Sequence, residues 1–183
     1  MTRLPILALI AALAACGSNE ARFAIATEPA VEKVRVGVST IEVRDVSLPS
    51  YAAASEIVTE GEDGALRPLK GSVWADDPIR AVTGALALSL DARTTATVSA
   101  EPWPLLDQPA LRIETRIDTM VAKADGTFQM TGQVALTSRN GSSRDRIERF
   151  AISVPMADQS PAGVAAATGR AIAELSARIA DLL

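Results

Sequence analysis

Residues 111–154 impose the strongest constraint on the fold. In "LRIETRIDTMV" (111–121), Leu111, Ile113, Ile117 and Val121 fall on one parity, and Arg112, Glu114, Arg116 and Asp118 on the other. Alternation of apolar and charged residues at period two marks a strand buried on one face. Asp125-Gly126 is a hairpin turn signal, and Phe128, Met130, Val134 and Leu136 resume the period. Asn140-Gly141 is a second such signal, followed by Phe150, Ile152 and Val154. This pattern predicts three long antiparallel strands in a meander, with one apolar and one charged face.

The apolar face needs a cover, and two helical patterns can supply it. Asp77 can cap a helix that Pro78 opens, with Ile79, Val82, Leu86 and Leu90 on one side. Residues 161–183 repeat the pattern, with Val164, Ala171, Ile172, Leu175, Ile179 and Leu182 in one stripe. Shorter strands are expected around them. Val34, Val36 and Val38 alternate, then the parity switches to Ile41 and Val43, which predicts a bulge within 37–40. Ile57-Val58-Thr59 leads through the turn "EGEDG" (60–64) to a partner at 65–69, where Pro68 demands an edge. Residues 96–100 form another strand. The expected fold class is α+β: a mostly antiparallel sheet with two amphipathic helices packed on one face.

The N-terminus reads differently. Arg3 precedes an apolar run from Leu4 to Ala15, too short to span a bilayer comfortably. Leu13-Ala14-Ala15-Cys16 resembles a bacterial lipobox, whose Cys thiol receives a diacylglyceryl group before cleavage frees its amine. Cys16 is the single cysteine of the chain, so a disulfide is excluded. Two or three acyl chains together anchor firmly, whereas one alone is marginal. Gly17 after the Cys favours the outer membrane, by resemblance to enterobacterial sorting signals. Three regions follow: a signal peptide (1–15), a flexible tether from lipidated Cys16 (16–32) that could reach about 50 Å when extended, and one periplasmic domain (33–183).

Removal of residues 1–15 leaves 168 of 183 residues, a single-domain length, and the loss of Arg3 takes the formal charge from −4 to −5. No basic run is present, so nucleic acid is not an expected partner. Histidine is absent, and Cys16 is the only thiol. Ser-His-Asp hydrolases, Cys proteases and Cys/His metal sites are thereby excluded, and no cofactor is expected. Glu114 and Asp118 share a strand face as glycosidase carboxylates do, but Arg112 and Arg116 interleave with them as in a solvated charge ladder. Asp76-Asp77 is better explained by helix capping than by a hard-metal site. Lys33, Lys70 and Lys123 have no serine nearby in a recognisable nucleophile motif.

The aromatic residues are few: three Phe, two Trp and one Tyr. Trp74 and Trp103 flank a strand–helix junction and a loop, where a ring can pack while its N–H finds a partner. "LPSYAAASEIVT" (48–59), "VWADDPIRAVTGALALSL" (73–90) and "AEPWP" (100–104) occur in that order. They resemble the PqiC family of ABC-type transport auxiliary lipoproteins. Its members show Leu-Pro-x-Tyr before Ile-Val, then Trp-Ala-Glu-Pro opening a helix, then a later Pro-Trp. Tyr51, Trp74, Ala75, Pro78 and the Pro102-Trp103 pair match; Ala54-Ser55-Glu56 and the extra Asp at 76–77 depart from the pattern. The resemblance implies a non-enzymatic lipoprotein at the periplasmic face of the outer membrane. Its partner would be an MCE-domain protein of a lipid transport system between inner and outer membranes. Tyr51, Trp74 and Trp103 are the expected partner-binding residues, provided they are exposed. Self-association is left open. The alternatives are an envelope lipoprotein that binds a small hydrophobic ligand or assembles another complex, and a periplasmic hydrolase, which the missing histidine disfavours.

Overall fold

The computed structural model describes residues 20–26, 33–138, 141 and 144–183. The signal peptide, Cys16, part of the expected tether and Asn140 of the second turn signal lie outside the described residues. Among the described residues, ten elements follow in chain order. They are β1 (Ala21–Phe23), β2 (Thr40–Val43), β3 (Glu56–Glu60), β4 (Leu66–Trp74), α1 (Pro78–Arg93), β5 (Thr97–Ala100), β6 (Leu111–Ala122), β7 (Thr127–Ser138), β8 (Arg146–Pro155) and α2 (Pro161–Ala180).

All eight strands belong to one sheet, and the expected α+β mix with two helices is present. The meander β6–β7–β8 is its largest part, paired antiparallel from Leu111↔Ser138 to Ala122↔Phe128 and from Thr127↔Pro155 to Leu136↔Arg146. The sheet is nevertheless not mostly antiparallel. β1–β4, β2–β5, β2–β6 and β3–β6 are parallel, which makes four of the seven strand pairings. Alternation reports that one face is buried; it does not report the direction of the neighbour. Short connections favour antiparallel pairing in β3–β4, β6–β7 and β7–β8. The other pairs are joined through longer connections, including α1, which permit parallel entry.

β6 organises the sheet. One of its edges is covered by β7; along the other, β2 pairs at Leu111–Ile113 and β3 at Ala122. β5 continues outward from β2, while β4 and β1 continue outward from β3, so β1 and β5 end the two arms. β4 is an edge at Pro68, as expected, because β1 pairs only Ser72–Trp74.

Three local expectations change. Residues 34–38 are not a strand: Val34 makes an isolated bridge to Thr94, and the Gly37 N–H donates to the Leu183 carbonyl. The alternating valines meet helix ends rather than a sheet neighbour, so no bulge forms there. The bulges lie instead between Glu56 and Val58 and between Ile117 and Thr119. The second reverses the parity of β6, so Met120 and Ala122 join the core cluster that Val121 was expected to join. Gly132 permits it: a Cβ there would stand 2.1 Å from the Arg116 carbonyl oxygen. Finally, residues 21–23 of the expected tether form β1, and the Ala75 N–H donates to the Phe23 carbonyl.

Both helices pack on the apolar face and share one core with β6 and β7. Asp77 caps α1, its Oδ1 accepting from the Arg80 N–H at 3.0 Å, and Ser160 caps α2 through Gly163 N–H at 3.0 Å. Val164, Ile172, Leu175 and Ile179 of α2 are buried, each stabilising the fold by about 1.5–3 kcal/mol. The helices meet at Ser176, whose hydroxyl accepts from Ser89 Oγ at 2.9 Å and Arg93 Nε at 3.3 Å.

Candidate functional site

Tyr51 and Trp74 come together, but inside. Pro49 turns the chain after β2, and its carbonyl accepts from the Ala52 N–H at 2.9 Å. This sets Tyr51 half-buried against the core, with its hydroxyl accepting from the Met120 N–H at 3.2 Å. Trp74 ends β4, its backbone N–H donating to the Ser55 carbonyl at 2.8 Å, and only 6% of it is exposed. Both rings border a small cavity with Met120, Phe128 and Val164. The condition set for a partner-binding role, that the rings be exposed, is therefore not met by Trp74 and only partly met by Tyr51. They brace the 48–55 loop and the β6 bulge against α2.

Trp103 is placed elsewhere. It lies in the loop between β5 and β6, where its Nε1–H donates to the Asp107 carbonyl at 2.7 Å. That bond ties the loop across four residues and holds Leu105 and Leu106 outward, 53% and 105% exposed. The Ala110 N–H donates to Thr40 Oγ1 at 2.9 Å and fixes the far end of the loop to β2. Beside it opens a cleft of 900 Å³ bordered by Ser39, Thr40, Trp103, Leu105 and Leu106. A leucine pair presented to solvent by a tied loop can bury apolar area against a partner without first being ordered. Sequence reasoning named Trp103 and did not single out the two exposed leucines. Their adjacency to a Pro-Trp-Pro segment was the available signal.

The second feature is the charged face that β6 shares with Glu42 and Arg44 of the β2 region and with Glu101 after β5. Glu42 is 3% exposed and pairs with Arg112 Nε at 2.5 Å. Arg44 and Glu101 pair at 2.8 Å, and Arg116 and Asp118 at 3.3 Å. A cleft of 350 Å³ lies between Arg44, Glu101, Glu114 and Arg116. Thr115 Oγ1, buried at its wall, has no hydrogen-bond partner among the described residues. Asp118 is engaged by Arg116 on the exposed surface, the pairing expected of a solvated ladder. Among the described residues no cluster of three or more acidic, His or Cys side chains could hold a metal. No described helix is long and apolar enough to cross a membrane.

The family described as "ABC-type transport auxiliary lipoprotein component" matches residues 23–180. The chain belongs to this family. No curated protein sequence matches it. Among solved structures, an uncharacterised protein superimposes with a TM-score of 0.68 at 15% identity, covering 85% of this chain and 98% of the other. A Xanthomonas campestris protein of family DUF330 superimposes with a TM-score of 0.63 at 14% identity, covering 88% and 90%. At such identities the likeness is one of fold. The family match begins at Phe23, the last residue of β1.

Proposed function

We propose that this chain is a PqiC-type lipoprotein of the outer membrane, held at its periplasmic face by acyl chains on Cys16. In this reading it works without catalysis, docking an MCE-domain protein of an ABC-type lipid transport system. The observation that carries the docking role is the loop after β5. Trp103 ties it, and Leu105 and Leu106 leave it fully or largely exposed, in a chain whose family is described as an auxiliary component of transporters. Of the three aromatic residues expected at the partner surface, Trp103 is the one that belongs to this loop. Tyr51 and Trp74 contribute by holding the sheet that carries the loop.

The reading is tested on the full chain expressed with its signal. Purification from detergent-solubilised envelope, followed by mass spectrometry, is expected to recover an MCE-domain protein. Recovery of an unrelated envelope complex instead would overturn the docking role. Cys16→Ala is expected to abolish incorporation of labelled palmitate and to release the protein from the membrane fraction. Equal labelling of both forms would remove Cys16 as the anchor.

A further inference from the structure

α1 is apolar on both of its sides. Val82, Leu86 and Leu90 are buried in the core. On the opposite side Ala81, Gly84, Ala85 and Leu88 follow one another at helical spacing, and Leu88 is 64% exposed. No charged residue occurs between Arg80 and Asp91. A helix at a protein–water boundary ordinarily turns a polar face outward. Here the outer face borders an open groove of 370 Å³, whose other wall is Phe23, Ile25 and Trp74. One rim carries the ion pair Arg80–Asp76 at 2.7 Å, whose guanidinium holds the Asp76 carboxyl below its usual range.

The second observation is a length. Cys16 precedes Ala21 by five residues, and Ala21 is already paired with Ser72 in the sheet. Five residues span at most about 17 Å. The expected tether of 16–32 would have let the domain hang free; the docking of β1 shortens it to residues 16–20. A lipid on Cys16 therefore brings the bilayer to the arm of the sheet that carries β1 and the groove. The Leu105–Leu106 loop follows β5, at the end of the other arm.

We propose that the outer face of α1 and the groove it forms with residues 23–25 rest on the phospholipid surface of the anchoring membrane. This rests on the reading that Cys16 is acylated. Covalent anchoring makes the contact intramolecular, so a groove too small to bind vesicles from solution suffices once it is tethered. The contact fixes the orientation of the domain, with Leu88, Phe23 and Ile25 toward lipid.

Trp74 lines the groove and serves as the probe. In a Trp103→Phe background it is the single tryptophan. Full-length protein, its acylation established by intact mass, is reconstituted into phosphatidylcholine vesicles with brominated acyl chains. Trp74, 6% exposed at the inner wall of the groove, is expected to lose part of its emission relative to unbrominated vesicles. A Gly/Ser spacer of about ten residues between Asn19 and Glu20, adding roughly 17 Å of reach, should restore much of it. Leu88→Asp should also restore emission while leaving the melting temperature unchanged. Acylated protein whose Trp74 is unquenched would overturn the placement, and a doubled mass in light scattering would then assign the face to a second copy. Equal quenching of non-acylated Cys16→Ser protein would overturn the role of the short link. Absence of acyl mass would remove the anchor itself, and the placement with it.

Discussion

The carbonyl oxygen of Ala26 occupies the space of a side chain on Gly169: a Cβ built at that position would stand 1.8 Å from it. The segment following β1 is thus laid directly on the backbone of α2. Gly169→Ala should push it off. Overpacking of this kind costs about 1–3 kcal/mol. Urea denaturation should register that loss. Hydrogen exchange should show faster exchange in β1 and at Ala75, with β6–β8 unchanged. Protection of β1 equal to the wild type would mean that the backbone of α2 has moved instead.

That contact was invisible in the sequence. A glycine inside a helical stripe announces a close approach but does not name what approaches, and "ARFAIA" carries no strong period. The meander and both helices were legible because each buries one face, and burial writes its period into every second or every third-to-fourth residue. The bulge at Ile117 was not, since one inserted residue changes the parity of Val121 without changing composition. Parallel pairing was hidden for a related reason: strands such as Ile41–Val43 look the same whichever way their neighbours run. Trp74, whose partner-binding role was conditional on exposure, is only 6% exposed. A tryptophan beside a helix cap can face either way, and only the packing of Phe128 and Val164 decides it.

Glu42 and Arg112 form a pair in which one partner is almost wholly buried. Removing the cation strands a carboxylate beneath the charged face. Arg112→Leu is expected to destabilise the fold by about 3 kcal/mol. Adding Glu42→Leu should return much of the loss, because two apolar side chains leave no buried charge. A double variant as unstable as the single one would show that the packing of the arginine stem, not its charge, supports β2 against β6.

Tyr51 and Trp74 should behave as core residues. Tyr51→Phe removes the acceptor for the Met120 N–H and is expected to cost about 1–2 kcal/mol. Trp74→Ala should cost about 3–5 kcal/mol through the cavity it leaves. Under conditions where the Tyr51→Phe protein remains folded, capture of the partner should equal that of the wild type. Weakened capture by a fully folded Tyr51→Phe protein would return the 48–55 loop to the interface.

The loop after β5 gives the sharpest test of docking. Leu105 and Leu106 contribute little to the fold, since exposed substitutions usually change stability by less than about 0.5 kcal/mol. Replacing both with Ser should therefore leave the melting temperature almost unchanged. If the pair is the anchor of an interface, the same change should weaken capture of an MCE-domain partner by at least about 2 kcal/mol, roughly thirtyfold. Trp103→Ala should act in the same direction by a different route: it releases the tie to the Asp107 carbonyl, so the leucines remain but are no longer held outward. Its loss should be smaller than that of the double serine variant. Wild-type capture by the serine variant would remove the loop from the interface. The charged face of Arg112, Glu114, Arg116 and Asp118 would then be the surface to mutate, and raising the salt concentration should weaken capture there, because screening acts on charges and leaves an apolar loop unaffected.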